Sequence, residues 1–120
     1  KENRNPYVND AISFHYFFSR KVILSFASEV YIFFPGGFGT LDEFFEMVTL
    51  VQTRKIDPIP MILVGKAYWG PLLKWIEKDL YQKRKNIDKE DMKIYQLVKD
   101  AKEAERVIKR LVKGDIIRTA

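Results

Sequence analysis

Two short apolar runs, Val30-Tyr31-Ile32-Phe33-Phe34 and Met61-Ile62-Leu63-Val64, constrain this chain more than any other feature. Neither alternates polar with apolar residues, as a strand with one wet face would, and both are rich in β-branched or aromatic side chains. Each reads as a strand buried on both faces. Pro35 stops the first and Gly65 ends the second. Strands covered on both sides belong to parallel sheets, because the crossovers between parallel neighbours lay helices on the sheet's faces. The intervening sequence supplies such a crossover, a helix predicted over residues 40 to about 54.

The remaining segments extend the alternation. Gly70-Pro71 opens a predicted helix to about residue 83, with proline at the first helical position, where its missing N–H costs nothing. Residues 88–92 read as a short helical turn and residues 94–98 as a third strand. Asp100 followed by Glu103 is a capping pattern for a last helix to about residue 112. Upstream, residues 9–28 are apolar almost all round, which suits a buried helix. The order implies a single α/β domain over residues 1–120, built on a parallel sheet with helices on both faces. Three strands make a thin sheet of this class. The chain begins at Lys1 rather than Met, and the sheet's N-terminal strands are expected to lie outside it, in a larger domain. All nine Phe precede residue 46, so the first half is expected to be the more deeply buried, and Trp69 and Trp75 are expected in the core.

Composition narrows the function classes. The 120 residues are 47% hydrophobic and 14% aromatic, enough to build a core and too apolar for a disordered tail. Net charge is +5, but residues 1–60 hold 6 basic and 7 acidic groups, whereas residues 61–120 hold 15 and 9. The excess sits in Lys/Glu-mixed helical sequence such as residues 99–113. No aromatic interleaving or groove-reading motif accompanies it, so it reads as a solvated helix face rather than a nucleic-acid surface. With no cysteine, disulfides, thiolate metal sites and thiol nucleophiles are excluded, in keeping with a reducing cytoplasm. The apolar stretch at residues 14–26 is interrupted by Arg20 and Lys21, falls short of the roughly 20 residues of a membrane span and lacks a signal-peptide cleavage pattern. No His/Asp/Glu cluster has metal-ligand spacing. His15, the single histidine, reads as a packed core residue.

Chemistry concentrates where the first of these strands ends. Phe34-Pro35-Gly36-Gly37-Phe38-Gly39-Thr40-Leu41-Asp42-Glu43 joins a buried strand to a helix start at the carboxyl edge of a parallel sheet, where ligands of such folds bind. Glycines let the backbone approach a phosphate and aim N–H groups at it, and the helix N-terminus adds partial positive charge. Neither the Gly-Lys-Ser/Thr ending of a Walker loop nor the dinucleotide-binding spacing is present. A second reading stands beside this one, in which the glycines only turn the chain and Thr40-x-x-Glu43 is a capping box. Arg20 and Lys21 weigh between the two. An unpaired charge among the large apolar residues of the predicted helix costs several kcal/mol, so Arg20 needs an anion: a ligand phosphate, or Glu29, Glu43 or Glu46. Glu43 and Glu46, three apart, share one side of their helix, as a carboxylate pair for acid/base work or as solvated groups.

Taken together, Phe17-Phe18-Ser19-Arg20-Lys21, the glycine run through Glu43, and Leu50-Val51-Gln52-Thr53 closely resemble the LONELY GUY (LOG) family, cytokinin-activating phosphoribohydrolases long mislabelled lysine decarboxylases. The family's pattern, an Arg-Lys pair followed by Pro-Gly-Gly-x-Gly-Thr-x-x-Glu, is met in full. The similarity extends through Ile62-Leu63-Val64-Gly65 and Tyr68-Trp69 and covers most of residues 5–112. It implies a Rossmann-like fold, homodimers with active sites near the subunit interface, and a nucleotide substrate. The implied reaction is hydrolysis of the N-glycosidic bond of a purine nucleoside 5′-monophosphate, with adenine or a cytokinin-type base, to free base and ribose 5-phosphate.

On this resemblance Glu43 is the carboxylate that stabilises positive charge on the ribose or activates water. The backbone N–H groups of Gly36, Gly37, Gly39 and Thr40, with the Thr40 hydroxyl, hold the 5′-phosphate. Arg20 orients Glu43 or contacts the substrate, Lys21 and Glu46 are supporting residues, and no cofactor or metal is required. The family's N-terminal half is expected outside this sequence, so association with that segment or with a second subunit is expected too. The alternative is a non-catalytic module that binds a nucleotide or phosphoryl ligand, for which the glycines suffice without the Arg20 and Glu43 pair. Nothing resembles a pyridoxal-phosphate lysine site.

Overall fold

The computed structural model describes the backbone at residues 19–23 and 29–119 and the side chains at residues 29–111. Four strands form one sheet in the order β1 (Ser19–Ile23), β2 (Glu29–Phe33), β3 (Met61–Val64) and β4 (Tyr95–Val98). β2, β3 and β4 are parallel, with Phe33 beside Leu63 and Leu63 beside Leu97, while β1 runs antiparallel to β2. Helix α1 (Phe38–Gln52) leads from β2 to β3. Helix α2 (Lys66–Trp75), continued by a π-helical segment at Ile76–Lys83 and a 3-10 turn at Lys89–Lys93, leads from β3 to β4, and α3 (Ala101–Thr119) follows β4.

Period-two alternation along the strands divides the core into two layers. Val30, Ile32 and Phe34, with Ile62, Val64 and Val98, pack against Ala104, Val107 and Ile108 of α3. Phe33, Met61 and Leu63 face the other way, against Phe44 of α1 and Trp69 of α2. The rings of Phe33, Phe44 and Trp69 meet at centroid distances of 5.1 to 6.4 Å in edge-on or tilted geometry, the arrangement favoured by aromatic quadrupoles. Because α1 and α2 lie on one face and α3 on the other, the parallel α/β sheet covered on both sides is the fold that the sequence predicts. All four residues of β3 are buried, as an uninterrupted apolar run requires.

The upstream region differs from expectation. Residues 19–23 form a strand, not part of a buried helix, and the rest of the predicted helix lies outside the described residues. A short apolar run has no period that separates a buried strand from a buried helix. Here the β-branched Val22 and Ile23 suit the strand, and pairing along β2 satisfies backbone groups that an open sheet edge would leave unpaired. His15 also lies outside the described residues.

Both crossover helices start earlier than predicted, α1 at Phe38 and α2 at Lys66, so Pro71 lies inside α2 rather than opening it. Trp69 is fully buried, but Trp75 is 50% exposed, which corrects the expectation that both belong to the core. At about 100° per residue Ile76 returns to the face that Trp69 buries, whereas Trp75 falls about 120° away from it. The Phe-rich half is likewise uneven: Phe33, Phe34 and Phe44 are buried, whereas Phe38 is 91% exposed and Phe45 partly so.

Candidate functional site

The site is built where β2 leaves the sheet. Phe34 is still buried, then the chain surfaces through Pro35, Gly36 and Gly37 into α1. Gly37 is the N-cap of that helix and supplies no side chain to its amides. The first intrahelical bond is the Leu41 N–H donating to the Gly37 carbonyl at 3.2 Å. The N–H groups of Phe38, Gly39 and Thr40 therefore lie ahead of the helical ladder, at the positive end of the α1 dipole. Backbone donors on an exposed turn at the carboxyl edge of a parallel sheet can hold an anion.

Thr40 is the third residue of α1, not its cap, so the capping-box reading of Thr40-x-x-Glu43 fails. Its side chain is 1% exposed, and among the described residues Thr40 Oγ1 and Trp69 Nε1 are the buried side-chain polar atoms without a hydrogen-bond partner. A buried hydroxyl left unpaired costs about 1–3 kcal/mol. One turn further along α1, Glu43 is half-buried, and Glu46 beyond it is exposed. The structure thus brings Gly36, Gly37, Gly39, Thr40 and Glu43 to one edge of the sheet.

Arg20 lies on β1 opposite Ile32, and Lys21 opposite Tyr31. The register sets Arg20 next to the pair of Ser19 with Phe33, at the end of β2 from which the glycine loop departs. Their side chains, and with them a pairing of Arg20 to Glu43, lie outside the described residues.

Two neighbours of the loop were not legible as site residues. Gly65 leaves β3 at φ +108°, its N–H donating to the Val98 carbonyl at 2.9 Å, and a Cβ there would lie 3.2 Å from Pro35 Cγ. Both the left-handed backbone and the close approach call for glycine. Tyr68, early in α2, donates its hydroxyl hydrogen to the Gly36 carbonyl at 2.8 Å. The pairing of Phe33 with Leu63, continued two residues, places Pro35 beside Gly65. Had the two apolar runs been aligned in this way, the sequence would have shown that the two turns meet.

Two described cavities lie apart from the glycine loop. One of about 400 Å³ is lined by Val51, Pro58, Ile59, Pro60, Glu90, Lys93 and Ile94, beside the amino ends of β3 and β4. The other, about 140 Å³, lies between α1 and the π-helical segment and includes Phe44, Phe45, Ile76, Leu80 and Tyr95. Burial, then the nearby Asp91 and Glu77 carboxylates, pushes the Tyr95 hydroxyl above its ordinary pKa. Among the described residues no group of His, Asp and Glu could hold a metal ion, and no helix is long and apolar enough to cross a membrane.

Comparison with known proteins bears on the same residues. The family model described as "Possible lysine decarboxylase" matches residues 1–108. A protein of Oryza sativa subsp. japonica named probable cytokinin riboside 5′-monophosphate phosphoribohydrolase LOGL2 is 36% identical over 59 residues, 49% of this chain and 24% of that protein. The cytokinin riboside 5′-monophosphate phosphoribohydrolase of Rhodococcoides fascians is 33% identical over 63 residues, 52% of this chain and 32% of its own length. An Arabidopsis thaliana protein named probable cytokinin riboside 5′-monophosphate phosphoribohydrolase LOG6 is 36% identical over 59 residues, 49% of this chain and 29% of its own. The aligned stretches therefore span a third or less of these relatives. The family match, by contrast, runs through the whole glycine loop and both crossover helices, and the chain belongs to the LOG family.

Proposed function

We propose that this protein hydrolyses the N-glycosidic bond of a purine nucleoside 5′-monophosphate, releasing the free base and ribose 5-phosphate. The observation that carries the reading is the start of α1, where an exposed glycine turn, whose cap offers no side chain to the leading backbone donors, is followed one turn later by the half-buried Glu43. Relatives named cytokinin riboside 5′-monophosphate phosphoribohydrolase support the phosphoribosyl substrate class and suggest an N6-substituted adenine among the bases accepted.

In this mechanism the 5′-phosphate sits on the N–H groups of Gly37, Phe38, Gly39 and Thr40, and the Thr40 hydroxyl turns to a phosphate oxygen. The bond from C1′ to the base nitrogen breaks with its electron pair leaving on the base. Positive charge then develops on C1′ and the ribose ring oxygen, as in other glycoside hydrolyses. Glu43 stabilises that charge, or takes a proton from the water whose oxygen bonds to C1′, and the departing base gains a proton. Arg20, at the same end of β2, orients Glu43 or contacts the substrate. Half-burial suits the carboxylate, because charges are screened less away from bulk water.

The test is to incubate the full-length protein with AMP and with an N6-substituted analogue and to assay free base and ribose 5-phosphate. Equal molar amounts of the two products are expected, with the corresponding nucleosides cleaved far more slowly, because phosphate binding helps to position the scissile bond. Tight binding of AMP with no product would replace this reading with that of a nucleotide-binding module.

A further inference from the structure

We infer that Tyr68 is a positioning residue for the anion site, fixing through its bond to Gly36 the direction in which the Gly37 N–H points. The inference rests on the reading of the glycine turn as a phosphate site and assigns a function to a side chain 32 residues away in sequence.

A trans peptide unit is planar, so its C=O and its N–H point in opposite directions. The Gly36 carbonyl and the Gly37 N–H belong to one such unit. With the Tyr68 hydroxyl donating to that carbonyl at 2.8 Å, the carbonyl is turned toward α2 and the Gly37 N–H is turned away from it. A flipped unit would aim a carbonyl oxygen where an anion is to bind and would repel it. Glycines on both sides of the unit leave the backbone free to flip, and neither supplies a side chain to prevent it.

The donor is itself firmly held. Trp69, the next residue, is fully buried, with its ring 5.1 Å from that of Phe44 and 4.9 Å from that of Tyr68. The Trp69 backbone N–H donates to the Gly65 carbonyl at 3.0 Å, and Gly65 lies against Pro35. The turn after β3 therefore braces the turn after β2 at two points, the close approach of Gly65 to Pro35 and the phenol of Tyr68 on Gly36. Thr40 Oγ1, on the first turn of α1, is buried and without a partner among the described residues, a second polar group for which the ligand is the partner in this reading.

The variant Tyr68→Phe removes one oxygen and keeps the ring contacts. For the full-length protein, the KM for AMP is expected to rise about three- to tenfold with kcat nearly unchanged, as for loss of one neutral hydrogen bond. Cleavage of adenosine is expected to keep its wild-type kcat/KM. Binding of inorganic phosphate, followed by calorimetry, should weaken by the same factor as AMP, and the Gly37 amide resonance should shift in a ¹⁵N-labelled sample. A merely structural role would instead lower the melting temperature and depress both substrates together, and that result would overturn the inference. So would an unchanged KM for AMP in a variant that still binds phosphate as the wild type does. A wild-type protein that binds neither phosphate nor AMP would overturn the phosphate reading and this inference with it, whereas the first two results would leave that reading standing.

Discussion

The helices α1 and α3 both start at the carboxyl edge of the sheet, yet they begin in opposite ways. At α3 the Asp100 side chain accepts the Glu103 N–H at 2.9 Å, and the Glu103 carboxylate accepts the Lys99 N–H at 2.7 Å. Two backbone donors are satisfied by side chains of the chain itself. At α1 the cap is Gly37, which offers no side chain to the leading amides, and the Thr40 hydroxyl on the first turn is buried without a partner among the described residues. A helix that serves only the fold gains about 0.5–2 kcal/mol by closing its N-terminus. Leaving it open on glycines forgoes that stability and keeps the donors available to a ligand. Two strand exits in one sheet therefore divide the work, one finishing the structure and the other exposing a polar surface.

The largest expected effect tests what the open end is for. Substituting Glu43→Gln keeps side-chain size and hydrogen-bonding capacity while removing the charge, so the fold should persist while kcat falls at least about a hundredfold. Steady-state kinetics with AMP beside a thermal melt decides the point. Near-normal turnover would reduce the α1 end to a binding site.

Next in size is the conversion of α1 into an α3-like start. At φ −114° Gly37 lies outside the left-handed region, and a Cβ there would meet nothing within 4 Å, so aspartate fits. Gly37→Asp supplies a cap worth only a few tenths of a kcal/mol over glycine, but it sets a carboxylate on the donors assigned to phosphate. The melting temperature should hold or rise slightly while the KM for AMP rises at least about tenfold, a split that ordinary damage to the fold does not produce. A KM within about twofold of wild type would show that no anion binds there.

How far the sequence carries this contrast depends on whether a feature is local. β2 and β3 were legible because burial on both faces leaves only apolar residues, and Asp100 with Glu103 was legible because a capping box is a four-residue pattern. The glycine loop was legible as an exposed turn between a buried strand and a helix start. Its other reading, as a box formed by Thr40 and Glu43, falls because α1 starts at Phe38, and helix ends are set by backbone geometry that composition fixes loosely. β1 was misread because Val22 and Ile23 in an apolar run suit strand and buried helix alike until a partner strand is known. Pro71 misled in a similar way. A proline marks a helix start in sequence, yet the positive-φ turn at Gly65 begins α2 five residues sooner. The phenol of Tyr68 on Gly36 and the approach of Gly65 to Pro35 are products of parallel register and carry no local signal.

At the α3 end, removing the cap should cost structure and nothing else. Asp100→Ala leaves the Glu103 N–H without its acceptor and should lower stability by about 1 kcal/mol in denaturant unfolding. Because no step of the proposed chemistry uses that end, the kcat and KM of the folded enzyme should not move. A change in the KM for AMP would mean that the two strand exits are coupled.

The smallest effect is expected at Thr40, and its sign is what matters. Threonine and valine have nearly the same shape, so Thr40→Val leaves the packing around a fully buried position almost unchanged and removes only the hydroxyl. If that hydroxyl were serving the fold, its loss would destabilise the protein by about 0.5–1.5 kcal/mol, the net worth of a neutral hydrogen bond. An unpartnered hydroxyl carries a desolvation cost instead, so in the unliganded protein the valine variant should be as stable as wild type or slightly more so. With saturating AMP the order should reverse, because ligand that binds the wild type more tightly stabilises it more. Melting both proteins with and without AMP therefore separates the two roles in one experiment. Destabilisation of the free variant would give the hydroxyl to the fold, and equal gains from AMP in both proteins would remove Thr40 from the phosphate site.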